Sequence, residues 1–276
     1  MTVPNKIVDD CQDLLYHYTD PNGFIGIVRN RKLWASSAFY MNDSSEFAEA
    51  REGKLNKLLR AHNDVQQQER DTKNPWECST NRRLKHLQYV FRDIKADHLL
   101  VSSFSEAGDI LSQWRGYGNN GYGYAIGFRR KDLIFPGFRM VRCIYKEEEK
   151  DPVRATILNT CREVGEQEKT DANERILANI EALNNAVANA LALKHEGFSE
   201  EREWRLVGHS TDSCPLKFRT RKNRVVCYCE LPLPPITRIF LGPCQDCDAE
   251  QVARKACESL LGYIPPIKPS QIPYRI

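Results

Sequence analysis

The run Leu14-Leu15-Tyr16-His17-Tyr18-Thr19-Asp20-Pro21 constrains this chain more than any other. Leu14 to Thr19 reads as a short strand, and Asp20-Pro21 ends it at once. An Asp side chain accepts hydrogen bonds from the unpaired N–H groups of a helix start, and proline fits the first turn, where its missing N–H costs nothing. A helix is therefore expected from Pro21 to about Asn30, with Phe24, Ile27 and Val28 recurring at i, i+3 and i+4. Lys32-Leu33-Trp34-Ala35-Ser36 then reads as the next strand.

The pattern changes repeatedly downstream. Asn42-Asp43-Ser44-Ser45-Glu46 stacks capping residues before a polar helix expected from Ser45 to about Glu69. Asp71 to Thr80 breaks it, and a second helix is expected from Asn81 to Lys95. His98 to Phe104 is an apolar strand, Ile110 to Arg115 a short helix, and Gly116 to Gly121 a turn whose Asn120-Gly121 pair favours positive φ. Strands follow at Tyr122 to Phe128 and Arg139 to Lys146. Pro152 to His195 turns helical, most clearly through Ile176, Ile180, Leu183, Val187 and Leu191. Strands resume at Trp204 to Gly208, Arg224 to Glu230 and Ile236 to Gly242, before a helix from Ala249 to Leu261, capped by Asp248 and stopped by Gly262. Grouped strands and grouped helices argue for the α+β class over a regular βαβ repeat. No internal repeat or linker is visible, so residues 1–276 read as one domain with helical elaborations at about 45–95 and 150–196.

Composition bounds the function classes. With 276 residues, 41% hydrophobic and 28% charged, the chain can bury a full core. A net charge of +3, with both signs intermixed, gives no long-range field toward nucleic acid. Arg129-Arg130-Lys131 and Lys217-Phe218-Arg219-Thr220-Arg221-Lys222 read as solvated loop charges. No run of eighteen apolar residues and no secretory leader is read, so a cytoplasmic protein without membrane contact is expected. The ten cysteines are unevenly spaced. Cys227-Tyr228-Cys229 and Cys244-Gln245-Asp246-Cys247 match no zinc-knuckle spacing, so buried thiols and no metal are expected.

Three groups of residues can carry chemistry. His17 and Thr19 are polar groups inside a strand, although a lone strand histidine is more often a satisfied core or surface residue than a ligand. In Glu201-Arg202-Glu203-Trp204-Arg205-Leu206, alternation puts Glu201, Glu203 and Arg205 on one face and Trp204 and Leu206 on the other. That set reads equally as a solvated ion-paired face or as two carboxylates kept ionised by a guanidinium. A carboxylate beside a ribosyl carbon steadies an oxocarbenium-like transition state, while its neighbour orients an acceptor. Ser102 and Ser103 end an apolar strand, and Trp114 and Tyr117 follow on a short helix, where flat faces suit a planar ring or simply fill the core. The glycine-rich dinucleotide and phosphate loops, the nucleophile elbow and the paired-histidine zinc motif are missing from the sequence.

These residues meet in one pattern. The segments Leu15 to Thr19, Leu33 to Ser36, Asn42 to Phe47, Ser103 to Glu106, Trp114-x-x-Tyr117, Gly123 to Phe128, Phe198-x-x-Glu201-x-Glu203-Trp204-Arg205 and Phe240 to Pro243 resemble the bacterial domain of unknown function 2971. That family in turn looks like a remote branch of the ADP-ribosyltransferases. His17-Tyr18-Thr19, a helix, then Arg31-Lys32-Leu33 resembles the His-Gly-Thr, helix, Gly-Leu opening of poly(ADP-ribose) polymerases and tRNA 2′-phosphotransferases. The resemblance implies a split β-sheet core with helical insertions and NAD as the substrate. It also implies glycosyltransferase chemistry that passes ADP-ribose to a protein or nucleic acid, in a toxin or antiviral defence effector with an antitoxin or defence partner. Carried over, His17 holds a ribose, the Tyr18 backbone the carboxamide, and Thr19 and Ser103 assist. Trp114 or Tyr117 stacks on the ring, Glu203 drives the transfer and Glu201 orients the acceptor. Two residues depart from the pattern. Tyr18 stands where those enzymes have glycine, and a Glu-x-Glu pair belongs to arginine-modifying toxins, whose NAD grip begins with Arg. The competing reading is a non-catalytic nucleotide-sensing or protein-interaction module with the same fold.

Overall fold

A computed structural model describes residues 13–38, 99–166, 182, 184–221 and 223–274. The helices expected at 45–69 and 81–95 lie outside these residues. The first unit forms as the sequence dictates: β1 (Leu14–Thr19), α1 (Pro21–Asn30) and β2 (Lys32–Ser37). Asp20 caps α1 by accepting from the Gly23 N–H at 2.6 Å, and Phe24, Ile27 and Val28 are the buried face. Arg31 closes the helix in the left-handed region at φ 51°. Its guanidinium then donates to the Leu260 and Leu261 carbonyls, which end the last helix. Two helix termini are thereby satisfied by one residue.

After β3 (Leu100–Ser105) come α2 (Leu111–Gly116), β4 (Tyr124–Arg129), β5 (Phe138–Arg142), α3 (Glu147–Glu166) and α4 over 184–192. A short turn of 3-10 helix, Glu196–Glu201, leads into β6 (Glu203–Gly208). The chain continues through β7 (Lys217–Arg221), β8 (Arg224–Pro232), β9 (Arg238–Leu241), α5 (Ala249–Leu261) and β10 (Ile267–Pro269). The fold is mixed α+β, with a ten-stranded open sheet among the described residues.

β3 organises the sheet. Along one edge it pairs with β6 over its whole length, from Leu100↔Gly208 to Ser105↔Glu203. Its other edge is shared: β2 pairs at the start (Ser36↔Val101) and β1 at the end (Tyr16↔Ser105). β1 and β2 therefore diverge beside the middle of β3. β1 leads to β4, β9 and β10, whereas β2 leads to β8 and β7. One face of the sheet buries Leu15, Leu33, Phe104, Ile126 and Ile239 with Phe24 and Val28 of α1 and Ala253 and Cys257 of α5. On the other face, α4 covers Val101 and Val207, and α2 brings Trp114 onto Tyr16 and Tyr18.

Several expectations need correction. Lys217 to Arg221, read as solvated loop charge, is a strand. Lys217 pairs with Glu230 at 2.7 Å, and the Arg219 guanidinium lies over the Trp34 ring at 4.6 Å, so its charges have partners across the sheet. The strand expected to reach Lys146 stops at Arg142, because Ile144 turns to bridge Leu193. α3 begins at Glu147, before Pro152. Three glutamates in the first turn favour the positive end of the helix, and Glu147 is held by Lys150 and Arg154, each at 2.7 Å. Asp248 flanks α5 without a side-chain capping bond, although Gly262 ends the helix at φ 83° as expected. The parallel strand β10 carried no recognisable sequence signal.

Gly242 sits where two turns touch. A Cβ there would strike the carbonyl oxygen of Gly121, and backbone cannot step aside as a side chain can. Gly242→Ala is expected to cost about 1–3 kcal/mol, read as a lowered thermal melting midpoint with an unchanged circular dichroism spectrum at 20 °C or below.

Candidate functional site

His17 lies at the fork between β1 and β2. Its Nδ1 is 2.9 Å from the Ser103 carbonyl oxygen, where β1 has parted from β3. With Nδ1–H donating, the imidazole supplies the hydrogen bond that a ladder partner would otherwise have made. Nε2 is then the acceptor nitrogen of a neutral ring. Burial lowers the pKa of His17, the Ser103 bond opposes that, and the Arg219 charge lowers it further. The ring packs against Phe104, 5.7 Å between centroids. Thr19 turns back toward the start of α1, where its Oγ1 fills the space beside Gly23 that a Cβ would need. Ser102 Oγ, in β3 opposite Leu206, is buried and has no hydrogen-bond partner among the described residues.

Tyr18 faces the opposite way. Its hydroxyl donates to the Ala107 carbonyl at 2.9 Å and accepts from the Ile110 N–H at 3.1 Å. Its ring meets Trp114 edge-on, with centroids 4.8 Å apart. Trp114 is fully buried, and its indole N–H donates to Asp109 at 2.7 Å. Tyr117 packs half-buried on the same cluster. The indole expected to stack on a nicotinamide therefore has Tyr18 as its neighbour, in the space between β1 and α2. Burial raises the Tyr18 pKa, so the phenol stays neutral.

Glu203 anchors a buried charge cluster. Arg205 grips it with two nitrogens, Nε to Oε1 and an Nη to Oε2, both at 2.9 Å. Lys194, with no exposed surface, reaches Oε2 at 2.8 Å and also bonds Glu201. Arg205 donates onward to the Leu191 carbonyl of α4 at 2.6 Å, and the Cys143 thiol lies 3.6 Å from Glu203 Oε2. The backbone N–H of Glu203 donates to the Tyr145 hydroxyl at 2.7 Å. Between the two glutamates, Arg202 takes the left-handed region at φ 43°. That turn lets Glu201, still in the 3-10 helix, and Glu203, already in β6, meet the same ammonium. Burial opposes ionisation of Glu203, but Arg205 and then Lys194 outweigh it and hold the pKa down at about 2. Burial also pushes the Cys143 thiol up, and the Glu203 charge adds to that.

The predicted residues thus fall into two groups. Direct pairing puts Tyr16, Ser105 and Glu203 on one face of the sheet, and alternation puts His17 with Phe104 and Trp204 on the other. The structure joins Glu203 and Arg205 on one face of β6 as the alternation required, brings Glu201 to Glu203 through the turn at Arg202 and the shared Lys194 rather than by alternation, and joins His17 to Ser103. It does not join His17 to Glu203. Sequence reasoning did not single out Lys194, which ends the expected helical stretch, Cys143 and Tyr145, which lie in the expected strand Arg139 to Lys146, or Arg219. Among the described residues no cluster of His, Cys, Asp and Glu has the arrangement of a metal site.

Lys194→Met leaves Glu203 and Glu201 short of a buried cation and is expected to cost about 3–5 kcal/mol in urea unfolding. The pH dependence follows from the direction of the Glu203 shift. Its folded pKa lies below the ordinary 4.5, so its contribution is complete above pH 4.5 and is lost as pH falls toward about 2. Glu203→Gln cannot titrate, and its urea midpoint is expected to fall less steeply over that interval than the wild type's.

The comparisons with known proteins agree with part of this picture. No curated protein and no solved structure matches the chain. A family model described as Protein of unknown function (DUF2971) matches residues 113–206. That segment runs from α2 through β6, and so carries Trp114, Tyr117, Lys194, Glu201, Glu203 and Arg205, while His17 lies outside it. Over residues 113–206, the chain is similar to the domain-of-unknown-function 2971 family.

Proposed function

We propose that this chain is an ADP-ribosyltransferase-like module that binds an adenine nucleotide of the NAD class at the fork between β1 and β2, through His17, without cleaving it. The observation that carries this reading is the Tyr18 ring against Trp114, with centroids 4.8 Å apart. In the enzymes the sequence resembles, a glycine follows the histidine, and the nicotinamide lies between that backbone and a stacking aromatic. Here a neutral phenol, tied to Ala107 and Ile110, stands in place of that glycine and packs its ring against Trp114. Glu203 supports the same conclusion. A carboxylate that steadies a developing oxocarbenium ion must face the ribose with its charge available, whereas both oxygens of Glu203 are already engaged by Arg205 and Lys194. His17 suits a binding role, because a neutral ring with Nδ1–H committed to Ser103 presents Nε2 to a ribose hydroxyl.

A second reading, NAD-dependent ADP-ribosyl transfer to a macromolecular acceptor, is favoured by the ionised state of Glu203 and by the closeness of Glu201 through Lys194. The two differ in one measurement. Wild-type protein incubated with labelled NAD and cell extract is expected to bind NAD, to release no nicotinamide and to transfer no label. His17→Ala is expected to weaken NAD binding about tenfold, the loss of roughly one good hydrogen bond. Nicotinamide release by the wild type that disappears in folded Glu203→Gln would overturn the non-catalytic reading in favour of transfer.

A further inference from the structure

β7 (Lys217–Arg221) is the last strand of the sheet among the described residues, joined to β8 along one edge. Alternation sorts its side chains. Lys217, Arg219 and Arg221 take one face, and Phe218 and Thr220 take the other. Contacts fix the first face: Lys217 pairs with Glu230 at 2.7 Å, and the Arg219 guanidinium lies 4.6 Å from the Trp34 ring centroid. The second face is open. Phe218 is 68% exposed, and Val225, which joins it on that face through the Thr220↔Val225 pair, is 63% exposed.

Charge on an edge strand deters chains of the same charge, but two large apolar side chains beside it invite a partner. The hairpin also carries a cost of its own. Between Lys217 and Arg224 the sequence holds Lys217, Arg219, Arg221, Lys222 and Arg224 and no carboxylate, and the register sets Arg221 directly opposite Arg224. Like charges so placed repel. A carboxylate arriving beside them relieves that repulsion.

The alternation decides what can arrive. A second copy adding its own β7 antiparallel would set cation against cation, with Lys217 facing Arg221. A single strand of nucleic acid needs stacking surface and cations on one side, whereas Phe218 and the cations take opposite faces of β7. An extended peptide with acidic and apolar side chains in alternation meets both faces at once. Its carboxylates lie beside the cationic row, its apolar groups lie beside Phe218, and its backbone takes up the outer edge of the strand.

We propose that the outer edge of β7 is a docking site for an extended acidic segment of a partner protein, added as a further strand whose carboxylates face the Lys217 and Arg221 row and whose apolar side chains cover Phe218. The surface does not involve His17 and stands apart from the nucleotide reading.

Fluorescence anisotropy with labelled, end-blocked peptides tests this. A peptide alternating Glu and Val is expected to bind the wild type, more weakly as salt is raised. One alternating Lys and Val, with the same apolar face, is expected not to bind. Arg221→Glu turns the like-charge pair into an opposite-charge one, so it is expected to keep the fold and to weaken binding of the Glu–Val peptide about tenfold. Phe218→Thr, a strand former at an exposed position, is expected to weaken it about fivefold. Circular dichroism checks that both variants are folded. No binding of the Glu–Val peptide, equal binding of the two peptides, or wild-type affinity in either variant would overturn the proposal. Binding of oligothymidylate that Arg221→Glu removes would overturn it in favour of nucleic acid, and a concentration-dependent dimer that Phe218→Thr dissolves would overturn it in favour of a second copy.

Discussion

The hydrogen-bonding demand of β3 governs the rest of the molecule. A strand in the middle of a sheet presents N–H and C=O groups on both edges, and each must find a partner once buried. On one edge β6 satisfies all of β3, from Leu100 to Ser105. On the other, β2 and β1 each take only an end, so the middle is left to side chains. His17 meets that demand at the Ser103 carbonyl. The same forced divergence sends β1 toward β4, β9 and β10 and sends β2 toward β8 and β7.

The charge cluster beneath α4 answers a different need. β6 enters from a 3-10 turn, and its first residue, Glu203, is buried against α4 and the segment after β5. An isolated carboxylate there would be very costly, so two cations accompany it, and Arg205 extends the network to the Leu191 carbonyl. The cluster ties β6, α4 and the 3-10 turn into one unit. It also uses up much of the hydrogen-bonding capacity that a catalytic carboxylate would need. The ionised state of Glu203 is compatible with catalysis, while its engagement by Arg205 and Lys194 argues for architecture.

Tyr18 is fixed on the face of β1 opposite His17. The phenol is bonded at both its donor and acceptor positions and packed against a fully buried tryptophan. Moving it would sacrifice two hydrogen bonds and an aromatic contact together.

Local patterns determined the elements whose causes are local. The strand, cap, helix and strand over residues 14 to 37 follow from Asp20, Pro21 and the 3.6-residue period of Phe24, Ile27 and Val28, and α5 follows from its own period and Gly262. Alternation likewise put Glu203 and Arg205 on one face of β6. Tertiary structure decided everything that depends on partners distant in sequence. A charged segment such as Lys217 to Arg221 becomes a strand only because Glu230, Trp34 and Tyr228 wait across the sheet. Lys194 has no pattern of its own and becomes the centre of a cluster only when α4 lies over β6. His17 and Glu203 could be read from the sequence as chemically apt residues, but whether they share a face depends on strand register. Register is set by which edges of β3 are occupied, and no single segment of the sequence carries that information.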